Sequence, residues 1–268
     1  MADTTHYLNK LANYLWLLSP GCYKSADLEC TRLVAHRGAH GKTKDGVIVE
    51  NTLPAFDLCL HRGIWGIELD IQLTLDGEPV ISHDPHCGRL FGYPRLAIAE
   101  TRFDELRRTI PDIPHLDEVI RRYGQKMHLM LEIKTSWREN PNLVNRLQQG
   151  LGDLEPGRDY HLLSLEPDHL SGFTAIPPAA FIDVALTNTR SIIRQNLELG
   201  HGAVAGSFAL LTPKLVQELK AAGKRVGTGQ VEHPRIARRE ANRDIDWVFS
   251  DTVLSLQNAI TRHNTPPG

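Results

Sequence analysis

The chain has 268 residues and a formal net charge of −2, with 41% hydrophobic and 23% charged residues. This is the balance of a soluble globular enzyme with room for a large core, and without a global basic field a nucleic-acid partner is excluded. Cys22, Cys30, Cys59 and Cys87 show neither CxxC spacing nor the density of a disulfide framework. That argues against a zinc centre and for reduced thiols in a cytoplasmic protein.

The opening MADTTHYLNK lacks the basic start and long apolar stretch of a signal peptide. LANYLWLL at 11–18 is too short to span a bilayer. It predicts a short helix with Leu8, Leu11, Ala12 and Leu15 on one stripe. We assign 1–30 to a helical extension that either packs on the protein body or makes a peripheral contact with a membrane, lipid or partner surface. From residue 32 onward, strand patterns fall at 32–36, 66–73, 79–82, 128–133, 160–165, 180–185, 202–206, 225–228 and 246–250. Helix patterns lie between them at 52–62, 101–108, 116–123, 141–150, 189–199, 212–222 and 234–241. Such alternation predicts an α/β fold with parallel strands.

One strand is surplus to a (β/α)8 barrel. Only Asp76, Gly77 and Glu78 separate 66–75 from 79–82, and an Asp-Gly turn makes an antiparallel hairpin. A parallel neighbour would need a crossover of about a dozen residues. The run at 79–82 is therefore assigned to a hairpin and helical excursion over about 75–115. The other eight strands predict a (β/α)8 TIM barrel over 31–262, close to the usual size of about 250 residues. HNTPPG at 263–268 reads as a tail.

In such a barrel the active site forms at the C-terminal ends of the strands, and the polar residues gather there. His36 and Arg37 end the first strand, and Glu68 and Asp70 share one face of the second. His83 and Asp84 end the hairpin, Glu132 and Lys134 close the next wall strand, and Ser250 and Asp251 end the last. Three converging carboxylates repel one another unless a cation joins them, and oxygen ligands suit Mg2+ or Ca2+. One divalent cation at Glu68, Asp70 and Glu132 would polarise a phosphoryl oxygen. Arg37 and Lys134 would neutralise other phosphate oxygens as substrate-binding residues. His36 and His83 supply the proton traffic, since imidazole titrates near neutral pH.

These residues stand in HRG at 36–38, ENTLPAF at 50–56, IELDIQLTLDGEPVISHD at 67–84, Arg89, and LEIK at 131–134. In that order they resemble the glycerophosphodiester phosphodiesterase family. TRFDELRR at 101–108 and IPHLDEVI at 113–120 resemble the family's insertion and its return to the barrel. The resemblance implies a (β/α)8 barrel, a divalent cation and hydrolysis of a small glycerophosphodiester to glycerol 3-phosphate and an alcohol. It implies metal ligands at Glu68, Asp70 and Glu132, catalysis by His36 and His83, and phosphate contacts from Arg37 and Lys134. The second half departs from the family. Ser164-Leu165-Glu166 stands where many members carry Ser-Phe, and Gly229-Gln230-Val231-Glu232 where many carry Trp-Thr-Val-Asn. Because that tryptophan often walls the alcohol pocket, phospholipase D-like cleavage of lysophospholipids or phospholipids stands as the alternative.

Glu50 and Asn51 either cap the helix starting near Thr52 or, for Glu50, orient His36 from behind. Arg89 either faces solvent or touches substrate. His40 and His86 read as polar residues beside the site. Glu166, Gln230 and His233 read as strand-end residues.

Overall fold

The computed structural model describes residues 11–18, 22, 32–44, 46–140 and 142–264. Most of the expected 1–30 extension, Pro141 and the tail residues 265–268 lie outside the described residues. Residues 11–16 are helical (α1). Strand β1 (Arg32–His36) leads into a small hairpin of β2 (Gly41–Thr43) and β3 (Gly46–Ile48), then α2 (Leu53–His61) and β4 (Gly66–Leu73). The excursion follows, with β5 (Pro79–Ile81), α3 (Gly88–Phe91), α4 (Phe103–Thr109) and α5 (Leu116–Tyr123). The wall resumes with β6 (His128–Ile133), α6 (Asn142–Gly150), β7 (Tyr160–Ser164), β8 (Phe181–Ala185) and α7 (Thr189–Leu199). It ends with β9 (Ala203–Ser207), α8 (Pro213–Ala221), β10 (Arg225–Gly229), α9 (Pro234–Ala241), β11 (Trp247–Ser250) and α10 (Val253–Asn264).

The wall runs β1-β11-β10-β9-β8-β7-β6-β4 and closes where β4 pairs in parallel with β1. This is the (β/α)8 barrel that the alternation predicts. The surplus strand β5 lies antiparallel on β4, with Ile71 opposite Ile81 and Leu73 opposite Pro79. Gly77 takes the left-handed conformation at φ +77° that the tight connection needs. Under the excursion, Val80, Cys87, Ile98, Leu106, Ile110 and Ile113 form a separate buried cluster. β2, β3 and α10 escaped the sequence reading. β2 and β3 are three residues each, too short for a strand pattern, and α10 occupies the stretch after 252, including the first two residues of the expected tail.

Strand parity decides what faces the lumen. Val34, Met130, Leu163, Ile182, Ala203, Ala205, Trp247 and Phe249 form one buried cluster, the packed lumen. Their alternates, such as Leu33, Ala35, Ile67, Leu69, Leu129 and Leu131, join the larger cluster against the helices. Gly227 makes room in the lumen, because a Cβ there would stand 2.8 Å from the Phe249 ring. The same parity sets a column along β6: His128 at the floor, Met130 in the packed layer, then Glu132 and Lys134 at the mouth.

Candidate active site at the barrel mouth

Register brings the acidic residues together. His36 lies opposite Glu68 across β1 and β4, and Asp70 lies opposite Glu132 across β4 and β6. One carboxylate oxygen from each of Glu68, Asp70 and Glu132 falls within a 4.8 Å cluster. Glu68 Oε1 is buried without a hydrogen-bond partner. A desolvated carboxylate oxygen left without a donor is costly, and a divalent cation with oxygen ligands fits it. Lys134 Nζ bridges the other two, 2.8 Å from Asp70 Oδ1 and 2.6 Å from Glu132 Oε1.

The charges respond to this crowding. Burial, with the adjacent Asp70 charge, pushes Glu68 up to about 8. Asp70 is also buried, but the Lys134 ammonium and the Arg37 guanidinium outweigh that and hold it down at about 2. Asn51 adds a hydrogen bond from Nδ2 to Asp70 Oδ2 at 2.8 Å. One carboxylate is thus held in its ionised form while burial and like charge favour the protonated form of its neighbour.

Each mouth histidine is backed by its own carboxylate. His36 Nδ1 donates to Asp251 Oδ1 at 2.6 Å, leaving Nε2 3.9 Å from Glu68 Oε2. Burial opposes protonation of His36, but Asp251 and Glu68 together win and push its pKa up to about 9. His83 Nδ1 donates to Asp84 Oδ1 at 2.7 Å. Arg89 ties the segment after β5 to the loop before α2, with Nε 2.6 Å from Asp84 Oδ2 and Nη2 2.7 Å from Glu50 Oε1.

The turn after β1 is shaped for this work. Arg37 sits at φ +59°, and its backbone N–H donates to Glu68 Oε2 at 3.0 Å. Gly38 follows at φ +80°, where a Cβ would stand 2.8 Å from the Phe56 ring. A side chain at 38 would clash and strain the turn, so the His-Arg-Gly sequence has a steric reason. Asn51, at φ +56°, is a second left-handed residue beside the cluster. Such strain persists only where the surroundings hold it, as the Arg37 and Asn51 hydrogen bonds do here.

The structure gives the neighbouring residues specific partners. Glu50 does not reach His36; it accepts from Arg37 Nη1 at 2.9 Å and from Arg89. Asn51 does not cap α2, because its amide is committed to Asp70. Thr52 is the N-cap residue, yet its hydroxyl donates to Val49 O at 2.7 Å. Arg89 is a clamp between Asp84 and Glu50. His233 accepts from Arg235 N at 3.2 Å and caps α9. The carboxylate of Asp251 behind His36 is legible only once β11 is known to lie beside β1.

Residues 36–255 match the profile of the glycerophosphoryl diester phosphodiesterase family. The chain belongs to that family. A glycerophosphodiester phosphodiesterase of Bacillus altitudinis is 32% identical over 132 residues, covering 44% of this chain. The match spans about half of that relative's length, 51%. Another, from Caldanaerobacter subterraneus, is 23% identical over 247 residues, covering 87% of this chain and 98% of the relative. Among solved structures, an Oleispira antarctica phosphodiesterase in complex with its product sn-glycerol-3-phosphate superposes with a TM-score of 0.72 at 26% identity. That match covers 87% of this chain and 98% of the other. The glycerophosphodiester phosphodiesterase of Thermotoga maritima shares the fold, with a TM-score of 0.70 at 22% identity over 85% and 98% of the two chains. Among the described residues, no helix is long and apolar enough to cross a membrane.

Proposed function

We propose that the chain hydrolyses glycerophosphodiesters to glycerol 3-phosphate and an alcohol, using one divalent cation, Mg2+ or Ca2+, and two histidines. One observation carries this reading: the buried oxygen cluster of Glu68, Asp70 and Glu132 is flanked by two carboxylate-backed imidazoles. The family and the product bound in the Oleispira relative supply the substrate class. A cation held by the three carboxylates would supply positive charge to a phosphoryl oxygen.

In this reading Arg37 and Lys134 meet the remaining phosphate oxygens. Lys134 releases one of its two carboxylates to do so. One histidine takes the proton of the attacking hydroxyl, and the other protonates the departing alkoxide. Asp251 and Asp84 each hold a ring by Nδ1, which leaves Nε2 for the transfer. The attacking group is either the glycerol 2-hydroxyl, giving a five-membered cyclic phosphate that water then opens, or water itself. We place this activity in the cytoplasm, in keeping with the free thiols of Cys22, Cys59 and Cys87. Phosphorus NMR on a panel of glycerophosphodiesters tests the reading. Glycerol 3-phosphate should accumulate, with a transient cyclic phosphate if the 2-hydroxyl attacks first; a panel left intact with either cation would refute the reading.

A further inference from the structure

One left-handed residue at the mouth is held from outside the barrel. Gln230 follows β10 at φ +67°, a conformation that a side chain makes costly. Asn13 on α1, itself buried, spans the turn. Its Nδ2 donates to Gln230 O at 2.9 Å, and its Oδ1 accepts from Glu232 N at 3.0 Å. One side-chain amide thus satisfies an acceptor and a donor of the backbone on either side of Val231, which is fully buried. The helix is seated on the body: Trp16 meets the Phe208 ring edge-on at 6.1 Å, and Cys22 Sγ donates to Trp16 O at 3.2 Å. α1 precedes residues 36–255, the range that the family profile matches. The turn it holds is Gly229-Gln230-Val231-Glu232, where many members carry Trp-Thr-Val-Asn. The brace and the turn it braces therefore depart from the family together.

The far side of the turn meets the segment that carries Asp251. Glu232 O accepts from Thr252 Oγ1 at 3.3 Å, and Val231 N donates to Phe249 O at 3.4 Å. Thr252 N in turn donates to Ser250 Oγ at 3.1 Å. These bonds bracket Asp251, whose Oδ1 accepts from His36 Nδ1 at 2.6 Å. The Asp251 side chain is 44% exposed, so packing around it does not fix it and the backbone on either side must.

We infer that Asn13 is a positioning residue: from outside the barrel it holds the strained turn after β10 in the shape that keeps Asp251 behind His36. Without Asn13, Gln230 relaxes out of the left-handed region, Glu232 O draws away from Thr252, and the Asp251–His36 bond lengthens. The effect on turnover rests on the proposed phosphodiesterase activity; the effect on the Asp251–His36 bond does not. Asn13 acts through Asp251 and His36, so its loss falls on kcat and spares KM.

The test uses the full chain with glycerophosphocholine and Mg2+ or Ca2+, with kcat referred to the folded fraction from urea melts. Asn13→Ala should lower kcat by about tenfold and leave KM close to wild type. Asn13→Asp keeps the acceptor for Glu232 N and loses the donor to Gln230 O, and it should fall in the same direction. Adding Gln230→Gly to Asn13→Ala should restore most of the loss, because glycine takes φ +67° without strain. In an Asp251→Asn background, Asn13→Ala should cost little more. The downfield proton resonance of His36 Nδ1–H, identified by its loss in His36→Gln, should move upfield in Asn13→Ala and return when Gln230→Gly is added. Full kcat in Asn13→Ala, a loss that Gln230→Gly does not relieve, or an undiminished loss in the Asp251→Asn background overturns the inference. If no phosphodiester is turned over by the wild-type chain, the activity reading fails and the resonance alone decides. A His36 proton unmoved by Asn13→Ala then overturns the positioning role, and one that moves and returns sustains it.

Discussion

The barrel carries histidines at both ends, and the two sets are built oppositely. At the floor, His128 Nδ1 lies 2.9 Å from Arg158 O, which can only accept. Its Nε2 must therefore accept from His161 Nδ1 at 2.7 Å, and His161 Nε2 accepts from Arg225 Nη2 at 2.6 Å. The chain of bonds is satisfied only when both rings are neutral. Trp65 stacks on His128 at 4.4 Å, and the Arg225 guanidinium lies 4.8 Å from the Trp247 ring centroid. Burial, helped by the Arg225 charge, pushes His128 down to about 4 and His161 down to about 2. At the mouth, His36 and His83 are backed by carboxylates and are about one-third exposed. A carbonyl and an arginine make a histidine into structure; a carboxylate behind one nitrogen and open space at the other make it available for proton transfer.

Exchanging the two ends by mutation gives the largest contrast. His36→Ala or His83→Ala should lower kcat on glycerophosphocholine by about 10²–10⁴ while leaving the melting temperature close to wild type. His161→Ala should do the reverse, leaving kcat nearly intact but costing about 2–4 kcal/mol of stability, because a cavity opens and Arg225 loses its acceptor. Steady-state rates and urea melts on the same preparations read both halves.

A smaller contrast is the response to acid. In the unfolded chain His128 and His161 take a proton near pH 6.5; in the fold they do so only near 4 and 2. Below pH 6.5 the unfolded state binds more protons, so stability falls as pH drops toward those folded values. The slope is about 1.4 kcal/mol per pH unit for each histidine. His161→Phe should flatten this slope in urea melts between pH 6.5 and 5, and an unchanged slope would remove the floor chain from the explanation.

Cation binding separates the ends a third way. Glu68 is raised to about 8, so at pH 7 it is mostly protonated and must lose that proton to bind a cation. Affinity for Mg2+ or Ca2+ should rise with pH toward 8, with proton release visible as a buffer-dependent heat in titration calorimetry. Glu68→Gln mimics the protonated form, so it should barely change the metal-free melting temperature yet abolish the cation-induced rise. The smallest effect belongs to Asn51→Ala, which frees Asp70 Oδ2 and should weaken cation binding by about tenfold.

The sequence carried the mouth further than the floor. Period-two parity in IELDI and LEIK, with the Asp76-Gly77 turn, sufficed to place the carboxylates, Lys134 and the hairpin. The partnership of His36 with Asp251 spans 215 residues and exists only because β11 closes on β1, so no local pattern announces it. His128 and His161 have the same lumen parity as Glu132, and only their place at the opposite strand ends separates them. The Asn51 amide, the Glu50 bridge and the docking of α1 by Asn13 likewise depend on contacts between distant segments.

The central claim is that the mouth is a cation-dependent phosphodiester centre. The most direct measurement is glycerol 3-phosphate release from glycerophosphocholine before chelation, after chelation, and after Mg2+ or Ca2+ is returned. The account predicts turnover that disappears with the chelator, returns with the cation, and does not return in Glu132→Gln. Turnover that survives full removal of divalent ions would contradict it.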